Sequence, residues 1–312
     1  MDVSVIVCTY NRSAMLRDNL KALAGQRVDP ALRWEVVVVD NNCTDDTPQV
    51  VEEAARNFPT SLRRVREEKQ GHSNARNCGI KESLGRYLLF TDDDTRPHSD
   101  WVQRIWETFD RRGCGCVGGR VDLDWPAARP VWLIDDLLSS LAYVNYGPEE
   151  QVLASEAVPP LGANMAFDRE VFAKIGAFDP TLGRTGRKLL GHDETDLFRR
   201  FLKAGLLAVY QPDAVVLHVV EEERLRKSYF RKLYYYGGVI DGQQYRNPNA
   251  RLLAGVPLFA YPQMLRSLSR ALLGFLRDGI HASFKQELLF WWRVGFLLGS
   301  SRTNQYITRL TP

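Results

Sequence analysis

Through its first 125 residues the chain alternates short, valine-rich runs with amphipathic stretches, and that alternation narrows the fold most. Val3–Cys8, Glu35–Val39, a short run at Leu62–Arg66, Arg86–Phe90 and Cys116–Leu123 read as strands. Ser13–Gly25, Asp45–Asn57, Ser73–Leu84 and Asp100–Arg111 read as helices between them. Continuous apolar strands separated by helices predict a parallel sheet covered on both faces. Ligands of such sheets bind beyond the C-terminal strand ends. The polar residues gather there: Thr9-Tyr10-Asn11-Arg12, Asp40-Asn41-Asn42 and Asp92-Asp93-Asp94. The three consecutive carboxylates repel one another unless a cation joins them. Hard oxygen ligands at a strand end suit Mg²⁺ or Mn²⁺ holding a phosphorylated ligand, although the same cluster also suits a solvated turn or a helix cap.

Further on, Phe167–Ile175 and Asp193–Ala204 are expected as helices and Ala214–Val220 as a strand. The stretch Trp125–Pro160 has little periodicity and is expected to hold loops and short helices over the site. Trp125 and Trp132 in it are read either as a sugar-stacking platform or as loop anchors. From Arg224 onward the composition turns basic, with about fourteen Lys and Arg against about three Asp and Glu. Within Gln263–Arg277, Met264, Leu265, Leu268, Ala271, Leu272, Phe275 and Leu276 fall on one helical face and Arg266, Arg270 and Arg277 on the other. Such a helix either lies in an anionic membrane surface or packs on its own domain or another subunit. The expected division is therefore residues 1–223 as an α/β domain and 224–312 as a basic amphipathic helical region.

Several classes are disfavoured. A formal net charge of +3 is too small to point to nucleic acid. Five cysteines, Cys8, Cys43, Cys78, Cys114 and Cys116, suit a reducing, cytoplasmic setting better than a disulfide framework. A first strand beginning at Val3 leaves no room for a signal peptide, and no apolar run reaches the length of a membrane span. Attachment to the inner face of the membrane stays compatible with these features. Oligomeric state is not legible.

Seven segments occur in the order VSVIVCTYNR, VVVDNNCTDDT, GHSNARNCGI, YLLFTDDDT, LGANMAFDREVFAKIGAFDP, GHDETDLFRR and PDAVVLHVV, over roughly residues 3 to 220. In this order they resemble inverting family 2 glycosyltransferases of the GT-A fold, the nucleotide-diphospho-sugar transferase architecture. The resemblance implies transfer of a sugar from a nucleotide-diphosphate donor, a UDP-sugar, to a hydroxyl of a glycan or lipid-linked acceptor. It implies a divalent cofactor, Mn²⁺ or Mg²⁺, on Asp94 and His218 with Asp92 near the ribose or the metal. Thr9, Tyr10, Asn11, Arg12, Asp40, Asn42, Arg76, Asp92 and Asp93 would line the nucleotide-sugar side, with Asp40 on the uracil. Gly162, Ala163 and Asn164 would form the pocket floor. The family's usual Glu-Asp pair is reversed to Asp193-Glu194. Its register makes Glu194 the base and Asp193 an acceptor contact, with Asp193 the alternative base. Two other readings compete: a nucleotidyltransferase, against which the glycine-free loop after Thr9 argues, and a non-catalytic sugar-nucleotide-binding protein.

Overall fold

In the computed structural model, residues 1–183, 193–245, 247 and 249–301 are described. They divide into two compact units. The first comprises Met1–Asp124 and Ala142–Val219, the second Trp125–Leu141 and Val220–Pro312.

The first unit is the expected α/β fold. Its strands are β1 (Val3–Thr9), β2 (Trp34–Asp40), β3 (Ser61–Arg66), β4 (Tyr87–Asp92), β5 (Thr95–Pro97), β6 (Cys116–Asp124), β7 (Gln151–Val152), β8 (Met165–Asp168) and β9 (Ala208–Val219). Its helices are α1 (Ser13–Ala24), α2 (Thr47–Ala55), α3 (His72–Glu82), α4 (Trp101–Arg112), α5 (Arg169–Ile175) and α6 (Asp193–Lys203). The sheet runs β3-β2-β1-β4-β8-β6-β9-β5, with β7 on β9. It is parallel through β3, β2, β1 and β4 and again between β6 and β9; β8, β5 and β7 pair antiparallel.

The chain leaves β1 toward β2 and β3 and then returns through α3 to place β4 on the other side of β1. That reversal opens a crevice at the carboxyl ends of β1 and β4, where doubly wound sheets bind ligands. The register aligns the ends: Thr9 faces Asp40, and Cys8 faces Asp92. β1 and β2 are buried on both faces, so their side chains do not alternate between core and solvent.

Two expectations change in detail. The predicted helix Phe167–Ile175 begins only at Arg169, because Asp168 ends β8 in extended conformation and caps the helix by accepting the Glu170 N–H at 3.0 Å. The strand expected at Ala214–Val220 instead starts at Ala208, its ladder with β6 shifting register between Gly119 and Arg120.

One buried charge lies at the opposite end of these strands. Glu35 on β2 is fully buried and accepts hydrogen bonds from Ser4 Oγ at 2.6 Å, the Leu84 N–H at 2.7 Å and Arg63 Nε at 3.0 Å. Burial opposes its ionisation, but the Ser4 and Leu84 bonds and the Arg63 guanidinium prevail and hold its pKa below the ordinary glutamate value.

The second unit contains α7 (Lys227–Gln244), a hairpin of β10 (Leu252–Leu253) and β11 (Val256–Pro257), α8 (Ala260–Ala282) and α9 (Phe284–Ser300). α7 and α9 approach backbone to backbone. A Cβ on Gly238 would lie 2.0 Å from the Trp292 carbonyl oxygen, and one on Gly295 2.0 Å from that of Tyr235. Trp132 stands edge-on to Phe230 and Phe284, with ring centroids 5.2 and 4.9 Å away. It is therefore an anchor that ties Trp125–Leu141 to these helices, which settles its two readings in favour of packing.

Glu35→Gln keeps the size but not the charge that three donors converge on. We expect it to cost about 1–3 kcal/mol at pH 7, measured by urea unfolding. A depressed folded pKa stabilises above the unfolded pKa and stops doing so as pH falls through the folded value. The difference between wild type and variant should therefore shrink below about pH 4.

Candidate active site

The crevice is lined by two linked sets of charges. In the first, Asp93 and Asp94 follow β4 and are both buried. Thr9 Oγ1 donates to Asp93 at 2.7 Å, and Arg12 Nη1 reaches Asp93 at 3.2 Å and Asp94 at 2.7 Å. On the other oxygen of Asp94, His218 Nε2 lies 3.5 Å away. His218 arrives there because β5 pairs with β9, setting Thr95 opposite His218 directly after the acidic triplet. Burial and the neighbouring Asp94 push the Asp93 carboxyl up to about 7, against the pull of Arg12 and Thr9.

The second set is centred on Arg76 of α3, whose side chain is almost wholly buried. Its Nη1 contacts Asp193 at 2.9 Å and its Nη2 contacts Glu194 at 2.8 Å, with Asp92 at 3.9 Å. His72 Nε2 stands 3.6 Å from Asp92. Burial opposes ionisation of Asp92, but the His72 contact and the charges of His72, Arg76 and His218 hold its pKa well below the usual carboxylate range. Asp193 is likewise held low: burial raises it, but Arg76, His72 and the Ser73 hydroxyl at 3.2 Å outweigh that. The two carboxylates on Arg76 thus differ. Asp193 is buried and takes bonds from Arg76 and Ser73, whereas the Glu194 side chain is about one-quarter exposed and holds Arg76 through one oxygen.

Gly162 makes this arrangement possible. A Cβ there would fall 1.8 Å from Arg76 Nη2 and 2.2 Å from Glu194 Oε1, so any side chain would displace the pair. The other residues of that segment face inward. The Ala163 carbonyl accepts from Thr91 Oγ1 at 3.1 Å. Asn164 is fully buried, accepting from Trp101 Nε1 and donating to the Arg120 and Ala214 carbonyls, all at 2.8 Å. Its amide holds β6 and β9 together.

On the β2 side, Asp40 accepts the Cys43 N–H and Arg64 Nη1, each at 2.7 Å. Asn11 and Asn42 both take left-handed backbone conformations, at φ 52° and 66°, in the loops after β1 and β2. Asn11 Oδ1 accepts the Thr44 N–H at 2.7 Å and Asn42 Oδ1 accepts Arg66 Nη2 at 3.0 Å, joining these loops to their neighbours. Tyr10 is exposed at the rim. Asn77 exchanges two hydrogen bonds with the Phe178 backbone, at 2.8 and 3.0 Å, and so fastens the segment before α6 to α3. Asp196, in the first turn of α6, pairs with Arg200 one turn along at 2.9 Å.

Asp94 and His218 offer a carboxylate oxygen and an imidazole nitrogen at a separation that suits two ligands of one divalent cation. Among the described residues no group of three or more His, Cys, Asp and Glu forms a cage. A cation here would draw its remaining ligands from elsewhere, as Mg²⁺ and Mn²⁺ do from phosphates.

Sequence reasoning had not singled out His72, Ser73 or Arg64. For His72 a signal existed: it lies four residues before Arg76, on the same face of one helix.

The profile described as Glycosyl transferase family 2 matches residues 4–176. Over 228 residues the chain is 27% identical to the glucosyl-dolichyl phosphate glucuronosyltransferase of Haloferax volcanii, covering 72% of this chain and 71% of that one. It is 28% identical over 245 residues to the succinoglycan biosynthesis protein ExoM of Rhizobium meliloti, covering 78% and 75% respectively. Among solved structures it resembles the mannosyltransferase PcManGT of Pyrobaculum calidifontis, determined with GDP-Man and Mn²⁺. That match has a TM-score of 0.59 and 19% identity, over 95% of this chain and 86% of the other. S. aureus TarS residues 1–349 in complex with UDP-GlcNAc matches with a TM-score of 0.53 and 19% identity, over 99% and 92%.

Arg76→Met would leave the Asp193 carboxylate buried without its cation. We expect a loss of about 3–5 kcal/mol in denaturant unfolding at pH 7. Part of the loss should be recovered at acid pH, where protonation of Asp193 removes the uncompensated charge.

Proposed function

The chain belongs to glycosyl transferase family 2, and from that premise we propose an inverting transfer assisted by a divalent metal. The donor is a nucleotide-diphosphate sugar, with a UDP-sugar as the first candidate, and the acceptor is a hydroxyl on a glycan or lipid-linked molecule. The observation that carries the proposal is the unequal pair on Arg76. Asp193 is buried and held ionised, its Oδ2 bonded to both Arg76 and Ser73, while the Glu194 side chain stays about one-quarter exposed beside the crevice.

Glu194 then takes the proton from the acceptor hydroxyl as its oxygen bonds to the anomeric carbon and the bond to the nucleotide diphosphate breaks. Attack from the face opposite the leaving group inverts the anomeric centre. Asp193 and Arg76 position Glu194, and Gly162 leaves room for both. Asp94 and His218 would hold Mn²⁺ or Mg²⁺, which when bound offsets charge on the departing diphosphate. On the nucleotide side, Asp40, fully buried at the β2 end on the Cys43 N–H and Arg64, would mark the base or ribose end of the site, with Thr9 at the β1 end and Tyr10, Asn11, Arg12 and Asn42 on the loops around it. Asp92 and Asp93 complete that wall between the nucleotide and the metal pair.

The names of the relatives support a role in polysaccharide or envelope-glycan synthesis, one being a dolichyl phosphate enzyme and another a succinoglycan biosynthesis protein. Five free cysteines suit a reducing, cytoplasmic compartment.

A panel of UDP- and GDP-sugars, with and without Mn²⁺, tests the donor by nucleotide release in the absence of acceptor. Asp94→Ala should abolish both Mn²⁺-dependent UDP binding and turnover; full affinity that no longer depends on metal would remove Asp94 from the metal site. Glu194→Gln should lower turnover by about 10²–10⁴-fold and spare UDP binding. Unchanged turnover in that variant would move the base elsewhere.

A further inference from the structure

The apolar sector of α8 is wider than its neighbours cover. Ala260 is buried in a small cluster with Val256 and Phe296, and Met264, Leu268 and Ala271, on the same side of the helix, are half-buried. The other edge of the sector is bare: Leu265 is 59% exposed, Leu272 56%, Leu273 65%, Phe275 52% and Leu276 78%. Leu265, Leu272 and Leu276 fall within about 40° of one another around the helix, forming one stripe. Single exposed leucines are ordinary on protein surfaces, but five large apolar side chains within twelve residues of one helix are not.

The preceding hairpin repeats the pattern. Its turn is made by Ala254 and Gly255, both with positive φ, and β11 turns Val256 and Pro257 inward. Leu252 and Leu253 on β10 are left at least half exposed. From residue 251 to 276 the charged residues are Arg251, Arg266 and Arg270, all exposed, and Arg277 is followed directly by Asp278. On the helix, Arg266 and Arg270 lie along one flank of the leucine stripe.

We propose that this surface, the leucine stripe of α8 with Leu252 and Leu253, docks on an anionic lipid bilayer. The leucines and Phe275 enter the boundary between headgroups and acyl chains, and the arginines meet lipid phosphates. Charge complementarity selects this occupant. A second copy of the chain would bring Arg266 and Arg270 against the same like-charged surface, whereas an anionic headgroup layer supplies charge of the opposite sign. The surface lies on the bilayer and does not cross it, since no helix among the described residues is long and apolar enough to span one. This inference does not depend on the assignment of the base or the metal pair.

Vesicle co-sedimentation of the full chain tests it, comparing phosphatidylcholine alone with phosphatidylcholine plus phosphatidylglycerol. We expect binding to the anionic vesicles at low salt, weakening as salt is raised. Each of Arg266→Gln and Arg270→Gln should lower partitioning about fivefold. Leu272→Asp with Leu276→Asp should lower it by more than tenfold, with donor hydrolysis unchanged. Hydrogen exchange of the unaltered protein provides a readout that needs no variant: peptides covering residues 252–257 and 260–277 should gain protection with anionic vesicles. Equal binding to both vesicle types, or no protection of these peptides, overturns the proposal. So does a dimer in sedimentation velocity that the leucine variants dissolve while vesicle binding stays the same, which would assign the surface to a second copy.

Discussion

Five carboxylates, Asp92, Asp93, Asp94, Asp193 and Glu194, are gathered at one end of the sheet, and their mutual repulsion sets the terms for everything around them. Arg12, His72, Arg76 and His218 are interleaved so that every acid has a cationic or imidazole neighbour. The offset is uneven. Asp92 and Asp193 are held strongly ionised, whereas Asp93, deep beside Asp94, is pushed toward neutrality. Chemically distinct carboxylates therefore arise within a few residues of one another from differences in burial and partner. Arg76 carries a large share, because its guanidinium contacts Asp92 at the end of β4 as well as both carboxylates that begin α6.

That dependence explains why small residues and backbone geometry matter around the crevice. Gly162 is defined by the guanidinium and carboxylate that fill the place of its side chain. Asn77 and Ser73 hold the approach to α6, through the Phe178 backbone and the Asp193 carboxylate respectively. A site of this kind is specified as much by the residues that keep the charged groups in place as by the charged groups themselves.

Much of the first unit was legible because continuous valine runs and amphipathic helices leave unambiguous traces, and their polar ends coincide in a parallel sheet. What was not legible depended on contacts distant in sequence. Nothing local to Asn164 announces that its amide bridges β6 and β9. Nothing near Trp132 announces Phe230 and Phe284, almost a hundred or more residues away, so the membership of Trp125–Leu141 in the second unit could not be read. The helix beginning at Arg169 was misjudged by two residues because Asp168 serves both as strand end and as cap. For α8, periodicity fixes the breadth of the apolar sector, but only the packed structure shows how much of it a neighbouring element covers.

The buried cluster of Ser4, Glu35 and Leu84 has a meaning beyond local stability. β1 and β2 are apolar on both faces, so sliding either by one residue would exchange valine for valine at little hydrophobic cost. The polar knot marks one place along these strands that cannot be exchanged: Ser4 must meet Glu35, and the Gly85 N–H must meet Ser4 Oγ. It works as a zero mark on a ruler. Everything measured from it, up to Thr9 beside Asp40 and Cys8 beside Asp92, arrives at the same height, so the alignment of the chemical end is decided at the end where no chemistry occurs.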